Sequence, residues 1–188
     1  MSEATMVTSI ASSRDDIGMR AARHLDMTFR AIMRPPAAEH QRDFMRVITG
    51  ELHPMGNVAI VSNPDDPAAT RTAAEPLRAS GLPAVVLFTE GVTTGAAQAL
   101  EGMGFANEGT MPAMAVDIDA MGDTALPAGY TWARVGEGSE GDAWADALAE
   151  GYEIPPGLAR LFSPVALGAD MAADAAIQFF AVLKDGQP

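Results

Sequence analysis

Asn57-Val58-Ala59-Ile60-Val61-Ser62, then Asn63-Pro64-Asp65-Asp66-Pro67, then the alanine-rich run Ala68 to Ala79: this stretch decides the fold. The first six residues are apolar and β-branched enough for a strand. The next five hold two prolines and two aspartates, which is turn chemistry. The run that follows is rich in alanine, the best helix former. Ser80-Gly81-Leu82-Pro83 breaks that helix. Ala84-Val85-Val86-Leu87-Phe88 is then a short, wholly apolar run, as expected of a strand buried on both faces. Beyond Thr89-Glu90-Gly91, residues Thr94 to Met103 read as another helix, with Gly104 in a C-cap position. Met111 to Ile118 reads as a further strand. Strand, helix, strand, helix, strand over 57–118 predicts an α/β layer arrangement with parallel pairing.

Toward the start of the chain, Phe44-Met45-Arg46-Val47-Ile48-Thr49 reads as one more strand, and Gly50 to Gly56 as a loop. Residues 1–13 are polar and read as loose. Ser13 is placed to cap a helix whose first turn holds Asp15 and Asp16, acids that favour the positive end of the helix dipole. Ile17, Ala21, Leu25, Phe29 and Ile32 carry that helix up to Pro35-Pro36, where the residue before proline avoids the α region. A short second helical piece is expected from Pro36 to Asp43.

On the other side, Asp119 to Ala128 contains Gly122, Asp123 and Pro127 and is the domain-boundary candidate. A second unit starts with the strand Tyr130-Thr131-Trp132-Ala133-Arg134-Val135. Asp142 to Glu150 reads as a helix, Leu158 to Phe162 as another, and Ile177 to Leu183 as a closing strand. Lys184-Asp185-Gly186-Gln187 is a hairpin turn, because Asp-Gly favours positive φ at both central positions. A hairpin turn calls for a return strand, and the sequence stops at Pro188. The expectation is therefore an incomplete second unit. Its strand 177–183 is expected to be frayed, disordered or paired with something other than its natural partner, and its open edge can receive a second copy of the chain.

Composition narrows the function classes. Of 188 residues, 48% are hydrophobic, which supports a sizeable core. The net charge of −13 argues against nucleic acid or an anionic membrane as the main partner, since both select for Lys and Arg clusters. With no cysteine, disulfides, thiol nucleophiles and Cys-based metal sites are excluded. No run of about 20 apolar residues is present for a membrane span, and Met1-Ser2-Glu3-Ala4-Thr5 lacks the features of a signal peptide. The cytoplasm is the expected location.

Motif by motif, the chemistry is thin. Gly136-Glu137-Gly138-Ser139-Glu140-Gly141 matches the dinucleotide fingerprint G-x-G-x-x-G, yet Glu137 and Glu140 would set two carboxylates beside a pyrophosphate. A flexible acidic loop accounts for it better. At Asn63 to Pro67, Asp65 and Asp66 already occupy the helix end where a phosphate would sit, and no glycine allows close backbone approach. Asp117, Asp119 and Asp123 resemble half of a calcium loop, but position twelve is Ala128 where a bidentate Glu is needed, so no metal is expected. His24, His40 and His53 form no motif. Tyr152-Glu153-Ile154-Pro155-Pro156 is kept as a candidate, because an aromatic beside a rigid proline loop can line a pocket.

Two stretches resemble parts of GNAT-type N-acetyltransferases. Ala96 to Phe105, ending Leu100-Glu101-Gly102-Met103-Gly104-Phe105 and leading into Met114-Ala115-Val116, is similar to the family's helix ending in "lGF" followed by a strand. Strand 57–62, helix 68–79 and strand 84–88 then match the preceding central elements. The second stretch, 127–188, resembles the opening of another such domain, with a substrate-side loop between its helices. The resemblance implies a mixed α/β fold with a GNAT-like central sheet flanked by helices: a degenerate domain over 1–122 and the start of a second over 127–188.

It also implies acetyl transfer from acetyl-CoA to an amine, with a backbone N–H polarising the thioester carbonyl and a general acid or base moving protons. In the family the pyrophosphate binds a glycine-rich turn; this chain has Asn63 to Pro67 there, so acetyl-CoA, the implied co-substrate, is not expected to bind it tightly. No catalytic or cofactor-binding residue can be named. The substrate-side candidates are Tyr152, Ile154 and Phe162. The competing expectation is a non-catalytic GNAT-like module for dimerisation or for binding a partner or ligand.

Overall fold

A computed structural model describes residues 5–10, 16–33, 38–111, 122, 125–168 and 177–186. The chain divides into two compact units, residues 1–116 and 117–188. It is of the mixed α/β class.

The first unit is built on a six-stranded sheet. Its elements are β1 (Thr5–Ile10), α1 (Asp16–Ile32), β2 (Ala38–His40), β3 (Phe44–Ile48), β4 (Asn57–Val61), α2 (Pro67–Ser80), β5 (Val85–Phe88), α3 (Thr94–Glu101) and β6 (Phe105–Met111). The strand order is β2-β3-β4-β5-β1-β6. β2, β3 and β4 form an antiparallel meander. β4 and β5 are parallel and joined through α2, in register from Val58↔Val85 to Val61↔Phe88. Every residue of β4 and β5 is buried, so the apolar runs lie inside the sheet with both faces covered.

Alternation sorts those side chains. Ala59, Val61, Val86 and Phe88 join Phe44 and Phe105 in one core layer. α2 and α3 close that layer with Ala73, Ala74, Leu77, Ala96 and Leu100. The alanines of α2 therefore form a packing face that brings helix and sheet close together. Gly81 ends α2 in the left-handed region at φ 68°, where an L side chain is strained.

Three features of this unit differ from the sequence expectation. Residues 5–10, expected to be loose, form β1, which pairs parallel with both β5 and β6. Thr5, Val7, Thr8 and Ile10 are β-branched, and the slots beside β5 and β6 supply partners that no local pattern reveals. Ala38–His40, expected to be helical, is a strand paired with β3. It is pinned to α1, because His40 Nε2 lies 2.7 Å from the Met33 carbonyl and Arg30 donates to the Gln41 carbonyl at 2.9 Å. A strand runs over 105–111, where none was expected before Met111, and residues 112–118 of the strand expected at 111–118 lie outside the described residues. β6 is an edge strand whose residues 106–110 are all exposed, so no hydrophobic alternation marks it.

The second unit contains β7 (Tyr130–Arg134), α4 (Ser139–Tyr152), α5 (Pro156–Leu161), α6 (Pro164–Leu167) and β8 (Phe180–Lys184). β7 and β8 pair antiparallel, from Tyr130↔Lys184 to Arg134↔Phe180. The closing strand, expected to be frayed, disordered or paired with something other than its natural partner, is paired with β7 over 180–184. It starts at Phe180 rather than Ile177. The turn at Asp185 and Gly186 has φ of 52° and 77°, both positive, as an Asp-Gly hairpin turn requires.

Candidate functional site

Two places in the fold bear on chemistry, one in each unit. In the first unit it is the end of β4 and the start of α2. Asp66 is the N-cap of α2, and its Oδ1 accepts from the N–H groups of Ala68 at 2.9 Å and Ala69 at 3.2 Å. Pro67 occupies the first helical turn and has no N–H to offer. The donors that a phosphate would use at a helix N-terminus are therefore taken by a side chain of the chain itself.

The neighbouring loops close in as well. Thr93, the N-cap of α3, donates its hydroxyl to the Pro64 carbonyl at 2.7 Å. A Cβ on Gly95 would sit 3.1 Å from Pro67 Cγ. The Thr89 N–H continues the β4–β5 ladder by donating to the Val61 carbonyl at 3.2 Å. The ends of β4 and β5 are thus knitted to the starts of both helices.

Asn57, at the other end of β4, is fully buried and makes four hydrogen bonds. Its Nδ2 donates to the carbonyls of Glu51 (2.7 Å), Pro83 (2.9 Å) and His53 (3.2 Å), and its Oδ1 accepts from Gly50 N–H at 3.3 Å. One side chain fixes the β3–β4 loop and the entry to β5. This is a structural hub rather than a reactive group.

In the second unit, a groove of about 590 Å³ runs between α4 and the β7–β8 ladder, a size within the ~300–1,000 Å³ of small-molecule sites. Ala143, Ala147 and Gly151 line it from α4, and Ala133, Ala181 and Leu183 from the sheet. The alanines and Gly151 among these leave the space open. Trp144 fixes one end: its Nε1–H donates to the Phe180 carbonyl at 3.1 Å, and its ring meets Phe179 edge-on at 5.3 Å. Glu140 lies on the wall at that end of α4, and Tyr152 at the other.

Of the three substrate-side candidates, Tyr152 lines the groove, and its side of α4 leaves it 74% exposed. Ile154 and Phe162 do not line it. Ile154 is half-buried and donates its N–H to the Ala149 carbonyl behind α4. Phe162 is half-buried at the C-cap of α5. Sequence reasoning missed Trp144 and Ala143, although their spacing with Ala147 and Gly151 along one helix puts all four near one face.

The other motifs resolve into structure. In the G-x-G-x-x-G stretch, Gly141 stands in the first turn of α4, where a Cβ would lie 2.9 Å from the Gly136 carbonyl and 3.0 Å from Val165. That glycine is required for close packing of α4 against the start of α6. His24 faces Thr28 on α1, and His53 caps a short 3-10 helix by accepting from Met55 N–H at 3.2 Å. The three histidines each have a separate local role. Asp117, Asp119 and Asp123 lie outside the described residues. Among the described residues, no cluster of His, Asp and Glu could hold a metal ion, and no helix is long and apolar enough to cross a membrane. No protein-family model, no curated protein and no solved structure matches this chain.

Proposed function

We propose that this chain is part of a GNAT-type N-acetyltransferase, and that its first unit is a non-catalytic GNAT-like domain. The Asp66 cap carries this reading. A domain of that kind uses the start of the helix after its central strand to hold the pyrophosphate of acetyl-CoA, and here Asp66 and Pro67 leave that helix end with neither free donors nor a favourable charge. Acetyl transfer to a small-molecule amine then belongs to the second domain, whose opening elements are β7, α4, α5 and β8. In this reading Tyr152, on the wall of the groove, is the acceptor-side residue, while Ile154 and Phe162 do not line the groove and are given no role. The acidic composition, −13 overall, suits an amine-bearing substrate in the cytoplasm and disfavours nucleic acid.

The second reading is a wholly non-catalytic module that binds a partner or ligand. The same Asp66 cap favours it, because nothing in it depends on a cofactor. Calorimetric titration of acetyl-CoA into the chain tests both. No heat of binding at micromolar concentrations is expected; binding at micromolar level or tighter would sink the closed-turn reading. Acetylation of an amine panel by a polypeptide extended past residue 188 separates the two readings: turnover supports the enzyme, and its absence supports the module.

A further inference from the structure

The groove of the second unit has a charge pattern as well as a shape. At about 100° per residue, Glu140, Trp144, Ala147 and Gly151 fall close to one line along α4, and all four border the groove. The step from Glu140 to Gly151 spans about 16 Å along the helix. Opposite, Phe179 meets Trp144 edge-on, so alternation turns Ala181 and Leu183 toward α4 as an apolar floor. Glu140 is the only carboxylate among the described residues that line the groove. Arg134 also borders it, but cross-strand pairing sets Arg134 against Phe180 on the other face of the sheet, its guanidinium 6.0 Å from the centroid of that ring. Asp142 joins Glu140 in the first turn of α4. Two carboxylates outweigh the roughly +0.5 charge of a helix N-terminus, so this end of the groove attracts cations.

We propose that the groove binds a small organic cation: one ammonium group at Glu140, carried on an extended apolar body that lies between the alanines of α4 and Ala181 and Leu183. The chemistry of the walls selects this class. A sugar or other polyhydroxyl body would leave its hydroxyls against alanine and leucine, and a polyamine would set its second ammonium in the same apolar stretch. An anion would meet Glu140. The length of about 16 Å admits one ring with a chain of several carbons. As the acceptor of acetyl transfer this cation rests on the acetyltransferase reading; as a ligand of the groove it does not.

The test titrates the whole chain, labelled at its alanine methyls, with phenylbutylamine, phenylbutanol and phenylbutyrate, followed by NMR. The amine is expected to shift the Ala143, Ala147 and Ala181 methyls at sub-millimolar concentration. Ala145, on the buried side of α4 at 1% exposure, is expected to stay in place. The amine is expected to bind about three- to tenfold tighter than the alcohol, the size of an exposed ion pair, and the acid no tighter than the alcohol. Glu140→Gln is expected to erase the difference between amine and alcohol and to leave the affinity for the alcohol unchanged. Ala147→Phe, at an exposed position, is expected to fill the groove and weaken both by about tenfold or more. An unshifted Ala145 methyl shows that each variant is folded. Equal binding of amine and alcohol, tighter binding of the acid, a preference that survives Glu140→Gln, or shifts that survive Ala147→Phe would each overturn the proposal. Binding as expected without acetylation of the amine by the extended polypeptide would leave the proposal standing and remove only its link to acetyl transfer.

Discussion

Replacing Asn57 with alanine removes one side chain and four hydrogen bonds. Two of them, to the Glu51 and Pro83 carbonyls at 2.7 and 2.9 Å, have full-strength geometry; those at 3.2 and 3.3 Å are longer. Taking about 1 kcal/mol net for each good bond and about half that for each long one gives a cost of about 3 kcal/mol. The carbonyls left behind surround a site that is 0% exposed, so water does not readily replace the lost donor. Asn57→Asp is expected to be worse, because it puts a carboxylate against three carbonyl oxygens.

Urea unfolding followed by far-UV circular dichroism measures the effect. With m of about 1.5–2 kcal/mol/M, the alanine variant shifts the midpoint of the first unit down by about 1.5–2 M. Both tryptophans and both tyrosines lie in the second unit, so fluorescence does not report this transition and circular dichroism is the right probe. Asn63→Ala is the control. Asn63 makes a single 3.3 Å bond to Asp43, half-buried, and its loss is expected to cost about 0.5 kcal/mol or less. If Asn57→Ala costs under 1 kcal/mol, or no more than Asn63→Ala, the hub assigned to Asn57 is wrong.

Two further outcomes follow from the same geometry. Asp66→Ala removes the cap of α2 and is expected to cost about 1 kcal/mol in the same urea experiment, while Asp66→Ser keeps an acceptor and recovers most of it. The exposed Glu75–Arg78 pair gives a pH signature: the Arg78 hydrogen bond holds the Glu75 carboxyl below its ordinary value. A lowered folded-state value means the contribution to stability is complete above the unfolded-state value and is lost as pH falls through the folded one. Carboxyl carbon NMR should show Glu75 titrating below the usual glutamate range and returning to it in Arg78→Gln.

The central elements were legible because each carries its own local signal. Proline and aspartate before α2, glycine after it, and the unbroken apolar runs of β4 and β5 put their boundaries within a residue or two of the observed ones. The elements that were misread depend on distant partners. β1 has no turn signal of its own and exists through β5 and β6; β2 is three residues set by β3 and α1. β6 is exposed along 106–110, which frees it from patterning. At the candidate sites, Asp65 and Asp66 were readable as a capped turn from chemistry alone. The groove was not, because it arises from the bulk that α4 lacks on one face, opposite a sheet whose second strand, β8, lies almost 30 residues beyond the helix.

The position of β1 has a consequence for how the sheet is assembled in time. Met6 pairs with Val85, 79 residues later, and Thr5 with Phe105, 100 residues later. At a synthesis rate of about 5–20 residues per second, β1 waits roughly 5–20 s before both of its neighbours exist. The β2–β3–β4 meander, built from pairings 5 to 17 residues apart, can form long before that. The strand made first thus waits for β5, and β6, whose only partner in the sheet is β1, can join only after β1 is in place. Until it arrives, β5 keeps an unsatisfied edge in the interior of the future sheet, and β1 serves as the latch through which β6 is joined to it.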